Sequence, residues 1–526
     1  MPHTPSSPHP DFGTAYRNGT LDAFFDLTPG DVAGALAQPR TVRRAELATA
    51  LRRYAERIGS PPAVVRNVER LLHPEARAVV TGQQTGLLLG PTYTLSKAAT
   101  AVRLAQRLDR PERPVVPVFW LASQDHDAAE IDHTYLLDGS ETLRRVSVSL
   151  PDGVAAGRIP YVPAMLDEVR DAIERQTPRP RFAEASMRLF EEAAENAATY
   201  VDWFAGILTR LLGDAGLVLV DPLQADVAEL FRDVLEREIA EPETTSEAVN
   251  EAGRRLKQLG YEPQLGRGAH ATNLFLEVGG ADLPRRVLLR HEGTTFHAEG
   301  RSYGAADLVA LLQEDPTVIT PAAGLRPVVQ DALLPTAVFV LGPGELRYVA
   351  QLRGVYRFHG VAMPLAWPRA QATVLEPVAT RLLDGLEVFA AEFRAAPDAI
   401  LTRRLLERHG HAARFHQATA TLEQSYRELL KEVRGIDVTL EGTVRRARRH
   451  LDMSLERLRE KTAAALSRDD DVLKRQVERL TAHLLPLGQP AERVLSPFSH
   501  ALKFGAEPLV DLFLAMEPEG EQELRL

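Results

Sequence analysis

"VVTGQQTGLLLGPTYTLSKAATAVRLAQRL", residues 79–108, joins a short β-branched run to a long amphipathic helix through a loop rich in glycine and glutamine. The apolar residues that recur at helical spacing on one face of that helix are Leu95, Ala98, Val102 and Ala105. Pro91 suits the first helical turn, because its missing N–H has no hydrogen-bonding role there. Since residues 76–80 are predicted to form a buried strand, the segment has the strand–loop–helix order that begins a parallel α/β sheet.

A second strand is predicted over residues 113–123, "RPVVPVFWLAS", which is almost continuously apolar. Such a strand is typical of a parallel sheet with helices on both faces, and it completes a βαβ unit with a right-handed crossover. Further strands are predicted at residues 216–222, at the start of 336–352 and at 361–367. Two regions break this alternation, at about 142–185 and 241–303, and are interpreted as insertions into a core that spans residues 1–374. β-hairpins are expected at 273–300.

Residues 375–490 are predicted to form a helical coiled-coil arm. Apolar residues from Leu422 to Leu440 step by four and three, and the seam resumes at Val444 after what reads as a four-residue stutter in one long helix. A shorter returning helix carries the seam from Leu473 to Leu484. Because the outgoing helix is longer, part of its seam lacks a partner. A helix predicted at residues 378–393 or a second copy of the chain could cover it. We favour a homodimer through the coiled coil, with packing of the arm on its own body as the alternative.

Composition limits the function classes. The chain has 526 residues and a net charge of -10, which argues against general nucleic-acid binding. It has no cysteine, which excludes disulfides, thiolate metal sites and a cysteine nucleophile. The proline-rich N-terminus lacks the apolar region of a secretory signal and is expected to fray, and no apolar run reaches bilayer length. The sequence therefore predicts a cytoplasmic protein that does not enter a membrane; residues 491–526 are expected to return to the core.

The loop at residues 81–90 follows the first strand, where parallel sheets bind ligands. Its glycines allow close backbone approach, and the helix that begins near Pro91 is expected to offer free N–H groups to a phosphate or carboxylate. The candidate binding residues here are Gln83, Gln84, Thr85, Tyr93 and Lys97. The spacing is not that of a P-loop, and a long turn with a solvated lysine is the alternative.

A second group of polar residues, "SQDHDAAEIDH" at 123–133, follows the second strand and is expected at the same edge. Asp125, His126 and Asp127 are candidate catalytic residues together with Lys97, because such groups provide a general base or orient an amine. If the chain is helical from residue 128, Glu130 and His133 share one face. The alternatives are an acidic helix start with an incidental histidine, or a divalent-ion site; no metal ligands are assigned.

A third group lies around residues 324–351. A Gly-Pro-Gly turn opens a helix directly after a strand, which predicts a second anion-ready helix N-terminus, although Glu345 in its first turn is also a plain dipole partner. The candidate binding residues are Arg326, Gln330, Gly342, Gly344, Glu345, Tyr348 and Arg369, with Asp331 and Gln351 expected near the same edge.

Three segments in this order, "VTGQQTGLLLGPTYTLSKA", "PVFWLASQDHDAAEID" and "LRPVVQDALLPTAVFVLGPGELRYVAQL", resemble the bacillithiol-biosynthesis cysteine-adding enzymes. The resemblance covers nearly the whole chain. It implies a Rossmann-type core like that of class I synthetases and nucleotidyltransferases, connecting-peptide insertions and a dimerising coiled coil. The implied reaction is a cysteine ligation: the cysteine carboxylate joins the amine of glucosaminyl malate. The implied nucleotide is ATP or ADP, with adenine bound near the coiled-coil junction.

The chain departs from the class I pattern, since residues 94–97 read Thr-Leu-Ser-Lys where those relatives carry H-x-G-H. Activation by adenylation and by acyl phosphate are both compatible with this. In the mechanism that we expect, the first loop and Lys97 hold phosphates or developing negative charge, and Asp125, His126 or Asp127 deprotonates the amine. Gln83, Gln84 and Glu345 orient substrate. Two other classes fit the same residues: a metal-dependent sugar or nucleotidyl transferase, and a non-catalytic nucleotide-binding coiled-coil scaffold.

Overall fold

A computed structural model describes residues 10–176, 178–279, 283–468 and 470–526. The expected fraying of the N-terminal tail concerns residues 1–9 and lies outside them. The chain forms two compact units, Met1–Ala372 with Glu492–Leu524 and Thr373–Ala491 with Arg525–Leu526.

The strands are defined first because they position the candidate site. They are β1 (Arg77–Gln83), β2 (Val115–Leu121), β3 (His133–Leu137), β4 (Leu143–Ser147), β5 (Val218–Val220), β6 (Ala271–Val278), β7 (Arg285–Glu292), β8 (Thr295–Ala298), β9 (Arg301–Gly304), β10 (Ile319–Pro321), β11 (Thr336–Leu341), β12 (Leu365–Pro368), β13 (Gln371–Leu375) and β14 (Glu521–Arg525).

The helices of the first unit precede and follow those of the arm along the chain. Before the arm they are α1 (Phe12–Arg17), α2 (Val32–Ala37), α3 (Arg44–Arg57), α4 (Pro62–Arg70), α5 (Tyr93–Leu108), α6 (Ala128–Ile131), α7 (Pro163–Glu174), α8 (Ala183–Ala194), α9 (Tyr200–Leu212), α10 (Ala225–Ala228), α11 (Arg232–Ala240), α12 (Pro242–Gln258), α13 (Ala305–Glu314), α14 (Arg326–Leu333), α15 (Pro343–Val349) and α16 (Arg353–His359). The arm contains α17 (Pro377–Leu386), α18 (Ala390–Ala395), α19 (Pro397–Arg408), α20 (Ala412–Ile436), α21 (Glu441–Leu466) and α22 (Asp471–Leu484), and the chain then forms α23 (Phe498–Phe504) and α24 (Ala506–Ala515).

The core of the first unit is a five-stranded sheet in the order β12-β11-β1-β2-β5 with parallel pairing throughout. Its strands are apolar because both faces are covered: Val80 and Val79 belong to two different hydrophobic clusters, as expected where successive side chains point to opposite faces. Helix α5 contacts β1 and β2, while α3 contacts β5 and α4 contacts β2 and β5. The predicted α/β class with a Rossmann-type parallel sheet is confirmed.

Strand β1 is longer than predicted, because it continues through Gly82 to Gln83 and the loop begins only at Gln84. Gly82 pairs with Trp120 of β2. A Cβ on Gly82 would lie 2.8 Å from the Trp120 carbonyl oxygen, so the close approach of the two strands requires glycine. The glycine that suggested a loop is therefore a packing requirement within the sheet.

A second sheet, in the order β10-β6-β7-β8-β9, is built from antiparallel pairs. The hairpins expected at 273–300 are confirmed by the pairing of β6, β7 and β8. Strand β10 pairs with β6, so this sheet extends past residue 303 to Pro321. Helix α12 packs on β6 and buries Val249 and Leu256 in the same cluster as Leu274.

The predicted stutter in the arm is wrong, because the chain turns there. Helix α20 ends at Ile436, and Asp437 takes an extended conformation whose carboxylate accepts from Thr439 N–H at 2.8 Å, so the helix cannot continue. Helix α21 then runs antiparallel to α20: Arg448 pairs with Glu423, and Arg459 lies over Phe415. The two helices have 25 and 26 residues, so the outgoing helix is not the longer one.

This turn removes the premise from which the homodimer was inferred, and the homodimer stays a prediction. The returning seam lies on α22, which packs against α17 and α19 and buries Leu473, Val477, Leu480 and Leu484.

None of the helices in the described residues combines the length and the hydropathy that a membrane span requires.

Candidate active site

A cavity of about 320 Å³ lies at the carboxyl ends of β1, β2, β11 and β12 in the first unit. The edge where these strands end is the position at which open parallel sheets bind ligands. The structure brings twelve of the candidate residues to its walls: Gln83, Gln84, Tyr93, Lys97, Asp125, Arg326, Gln330, Gly342, Gly344, Glu345, Tyr348 and Arg369.

Three candidates do not line the cavity. Thr85 is fully buried, Asp127 is exposed at the start of α6, and His126 contacts Arg286 of β7 instead. The expected helical face shared by Glu130 and His133 is also wrong, because α6 ends at Ile131 and His133 begins β3.

Lys97 is the most deeply buried cation of the cavity, with 1 % of its surface exposed. Its ammonium donates to the Gly82 carbonyl, to Gln83 Oε1 at 3.2 Å and to Glu345 Oε2 at 2.6 Å. Burial lowers the Lys97 pKa, and the Glu345 carboxylate opposes that shift. An ammonium has three N–H donors, and the protein occupies all three. The alternative of a solvated lysine is therefore wrong, and the anion that Lys97 meets is Glu345.

The N-terminus of α5 is closed by the chain itself, contrary to the expectation of free N–H groups. The Leu495 carbonyl accepts from Thr92 N–H at 2.7 Å and from the Thr92 hydroxyl at 2.6 Å. The N–H groups of Thr94 and Ser96 donate to the carbonyls of Pro91 and Thr92. An anion would have to displace these partners.

At the second helix N-terminus, that of α15, one N–H group is occupied by the protein. Glu345 Oε2 accepts from Gly342 N–H at 2.7 Å, and the same oxygen holds Lys97. Glu345 thus links the turn after β11 to the helix after β1. The predicted anion site at the Gly342–Gly344 turn stays a prediction: the Gly342 N–H is taken by Glu345, whereas a Cβ on Gly344 would meet no atom within 4 Å.

Asp125 is the only one of the three candidate carboxylate and imidazole bases that lines the cavity. It accepts from Gln84 Nε2 at 3.2 Å and from His126 N–H at 2.9 Å, and Arg326 Nη2 lies 3.7 Å away. Burial raises the Asp125 pKa, but Arg326, Gln84 and Arg286 together lower it below its ordinary value. Asp125 is consequently a carboxylate at neutral pH, suited to receive and orient an ammonium group.

His126 faces the inserted sheet. Arg286 Nη1 lies 2.9 Å from His126 Nδ1, and because a guanidinium can only donate, Nδ1 is the acceptor and the neutral ring carries its proton on Nε2. Burial, followed by Arg286, lowers the His126 pKa. Burial also lowers the Arg286 pKa to about 9. Since its lowered pKa keeps the ring neutral, His126 can accept from Arg286, and it contacts that residue rather than the cavity.

Arg369 and Tyr93 form the wall at the β12 side. Both oxygens of Glu492 hold the Arg369 guanidinium, at 2.6 and 2.9 Å, and the guanidinium carbons of Arg369 and Arg493 lie 5.4 and 5.9 Å from the Tyr93 ring centre. Sequence reasoning missed Arg493, which is more than a hundred residues beyond Arg369 along the chain and follows no strand.

Two residues expected at this edge lie away from it. Asp331 is buried and accepts from the Tyr356 hydroxyl at 2.5 Å, and Gln351 is buried against the loop after α12. That loop instead contributes Gln264 to the cavity, a residue that sequence reasoning missed because its segment was assigned to an insertion.

In residues 10–176, 178–279, 283–468 and 470–526, no group of three or more His, Asp or Glu side chains is placed to hold a metal ion.

The strand order gives the cavity its length. The residues after β2 and those after β12 are three strand spacings apart, or about 14 Å at about 4.8 Å per spacing. Asp125 lies at one end, the Lys97–Glu345 pair lies between, and Arg369 lies at the other. The charged groups of the cavity are therefore spread along the strand ends over about that distance.

Family models match both parts of the chain. Residues 16–370 match the model described as "Bacillithiol biosynthesis BshC, N-terminal Rossmann-like domain", and residues 372–523 match "Bacillithiol biosynthesis BshC, C-terminal coiled-coil domain". The chain belongs to the bacillithiol biosynthesis BshC family. Membership in the BshC family confirms the resemblance carried by residues 80–98, 117–132 and 325–352.

Relatives in the BshC family match over nearly their whole length. A protein named "Putative cysteine ligase BshC" from Thermus thermophilus is 39% identical over 87% of this chain and 90% of its own. A protein of the same name from Salinibacter ruber is 33% identical over 95% of this chain and 93% of its own. Among solved structures, a putative arginyl-tRNA synthetase from Campylobacter jejuni is 13% identical over 85% of this chain and 94% of its own, with a TM-score of 0.22.

Proposed function

We propose that this protein is a carbon–nitrogen ligase that joins the carboxyl group of cysteine to the amine of glucosaminyl malate, with ATP as the energy source. The observation that carries the proposal is the match of both domains to the BshC family, whose relatives are named as cysteine ligases. The elongated polar cavity at the strand ends supports it, because its length suits two polar substrates that must meet.

The chemistry assigns different tasks to the cavity residues. A carboxylate acylates an amine only after activation by ATP. The C–N bond forms, the cysteine C–O bond breaks, and the oxygen leaves on phosphate with release of ADP, or on AMP with release of pyrophosphate. The ammonium gives up two of its three protons to solvent and keeps the third as the amide N–H. Asp125, ionised because its pKa is low, binds the ammonium and positions the nitrogen. Lys97, whose donors are all engaged, is a positioning residue that fixes Gln83 and Glu345.

The fit to a nucleotide phosphate rests on cavity groups other than the helix N-termini. The N–H groups at the start of α5 already donate to backbone carbonyls, and Gly342 N–H donates to Glu345. Three arginines line the cavity, and Glu492 holds Arg369 with both of its oxygens. Among the described residues, no carboxylate holds Arg326 or Arg493 in that way. No phosphate contact is therefore assigned to the helix ends, and activation by adenylation and by acyl phosphate both stay open.

The decisive experiment incubates the purified protein with cysteine, glucosaminyl malate and ATP, and measures the products by mass spectrometry. We expect one amide product per ATP consumed, and the release of AMP or ADP identifies the mode of activation. Absence of the amide product with all three substrates present contradicts the proposal. Turnover of a sugar nucleotide that depends on a divalent ion would support the transferase alternative instead.

Two neighbouring carboxylates provide the variant and its control. Asp125→Asn keeps the shape of a cavity residue but removes its charge, and we expect kcat/KM for glucosaminyl malate to fall about 100-fold. Asp127→Asn makes the same change on an exposed residue outside the cavity, and its kcat/KM should stay within about twofold of the parent value. Equal effects in the two variants would remove Asp125 from the mechanism.

A further inference from the structure

Four glutamine side chains line the cavity: Gln83, Gln84, Gln264 and Gln330. Three of them are engaged by the protein. Gln83 donates to the Tyr93 hydroxyl at 3.1 Å and accepts from Lys97. Gln84 donates to Asp125 at 3.2 Å and to Glu130, and Gln330 donates to Asp331 at 3.0 Å.

Gln264 differs from the other three. Its side-chain amide makes no hydrogen bond to any residue in the described part of the chain, although its backbone does. A carboxamide carries two N–H donors and an acceptor oxygen. Gln264 is exposed and lies on the cavity wall, so a bound ligand could replace water as the partner of its donors and acceptor.

The loop that carries Gln264 is held in one conformation by a buried residue. Gln351, which is 0 % exposed, accepts at Oε1 from the N–H groups of Gln264 at 2.9 Å and Leu265 at 2.8 Å. Its Nε2 donates to the Leu265 carbonyl at 2.8 Å and to the Val249 carbonyl at 3.4 Å. Both acceptor positions of Gln351 Oε1 and both N–H donors of its Nε2 are therefore used, and the oxygen holds the N–H groups of Gln264 and Leu265.

A second carboxamide holds the far end of the same loop. Asn250 of α12 accepts from Arg267 N–H at 2.9 Å and donates to the Arg267 carbonyl at 3.0 Å. The loop belongs to no strand or helix, so these two side chains replace the backbone ladder that would otherwise satisfy it. Because the loop backbone is hydrogen-bonded at both of these points, the position of the side chains between them is restricted.

We infer that Gln264 is a specificity-determining residue that binds hydroxyl groups of the sugar in the amine acceptor, and that Gln351 is its positioning residue. The inference rests on the proposed function, since it names a contact made by the acceptor of that reaction. A sugar ring offers adjacent hydroxyls that donate and accept, which matches an uncharged carboxamide. The carboxylates of cysteine and malate would instead favour the guanidinium groups of the cavity.

The test compares two acceptors in steady-state kinetics: glucosaminyl malate, and an aminoethyl ether of malate that keeps the amine and both carboxylates but has no ring hydroxyls. For Gln264→Ala we expect KM for glucosaminyl malate to rise about tenfold, which is the upper end for losing one neutral hydrogen bond. KM for the truncated acceptor and KM for cysteine should not change. Gln313→Ala, on the exposed face of α13, is the matched control and should leave all three KM values unchanged.

Gln351→Glu tests the positioning role, because glutamate keeps the shape and the acceptor oxygens but loses both N–H donors. We expect the same selective rise in KM with kcat changed less than about threefold. In the double variant Gln264→Ala/Gln351→Glu the rise should equal that of Gln264→Ala alone, since Gln351 acts only through Gln264. Additive effects, or an equal rise for both acceptors, would contradict the inference.

Two further measurements keep the outcomes separate. If the parent protein forms no amide, calorimetric titration with glucosaminyl malate still compares the parent with Gln264→Ala, so loss of the proposed reaction is distinguished from loss of this contact. If Gln351→Glu shows no cooperative melting, Asn250→Ala loosens the same loop at its other end and takes its place. Unchanged affinity in Gln264→Ala overturns the inference in either assay.

Discussion

Two ion pairs of nearly equal length, one in the cavity and one in the arm, differ in their surroundings. Lys97 and Glu345 are 2.6 Å apart with side chains 1 % and 25 % exposed, whereas Arg448 and Glu423 are 2.7 Å apart at 40 % and 38 %. The buried ammonium has protein acceptors for every donor. The arm guanidinium also lies over Tyr426 and remains in water.

Contact distance alone is therefore a poor guide to what an ion pair does. In water the gain from pairing is nearly cancelled by lost hydration and side-chain entropy. In the cavity, removal of Lys97 leaves the mostly buried Glu345 carboxylate with the Gly342 N–H but without a counter-charge. The first pair is therefore expected to organise the site, and the second to contribute little to the arm.

The largest effect should come from breaking the buried pair. Lys97→Met removes the ammonium and leaves Glu345 and Gln83 without it, and we expect the free energy of unfolding to fall by about 3 kcal/mol. Urea denaturation measures this change. Adding Glu345→Gln to the same chain should restore part of the loss, because the unpaired charge is then gone. If Lys97→Met is as stable as the parent protein, the Lys97–Glu345 pair does not contribute to the free energy of unfolding.

An intermediate effect is expected where a pair is only partly buried. Arg326 is the largest of the groups that lower the Asp125 pKa, against burial that raises it. In Arg326→Gln that pKa should rise, so Asp125 becomes protonated at higher pH and the acidic limb of the kcat/KM profile moves to higher pH. The pH dependence of amide formation measures this. Asp127→Asn, which leaves the cavity pair intact, should not move the limb; a limb that stays in place in Arg326→Gln would exclude Asp125 as its source.

The smallest effect is expected in the arm. Arg448→Gln should leave the free energy of unfolding within the scatter of repeat urea titrations, because an exposed ion pair gains little over its hydrated partners. The difference should shrink further at about 1 M salt, where the screening length is about 3 Å, whereas the effect of Lys97→Met should persist. Parallel urea titrations at low and high salt make the comparison, and a salt-independent loss of several kcal/mol in the arm variant would contradict it.

The sheet and its edge could be predicted because their signals are local. Continuous apolar strands followed by glycine-rich turns specify parallel order, and the residues just after each strand meet at one edge. Gln83, Asp125 and Glu345 were found in this way. Gln264 and Arg493 could not be, since they reach the cavity from loops whose position depends on tertiary packing rather than on a nearby strand.

The arm shows a different limit of sequence reasoning. A four-residue interruption of a seam has the same spacing whether the helix continues through a stutter or reverses in a short turn. The signal that separates the two was present in Asp437 and Thr439, which cap a turn well and serve poorly inside a helix. Gly435 and Gly442 on either side favour the same interpretation.

The Leu495 carbonyl that closes the start of α5 has a consequence for biosynthesis. Thr92 is translated about 400 residues before the acceptor that its N–H requires, which at roughly 5–20 residues per second is a delay of about 20–80 s. During that time the emerging polypeptide carries an incomplete pocket. Until the segment around Leu495 has been synthesised, the start of α5 lacks the carbonyl that closes it.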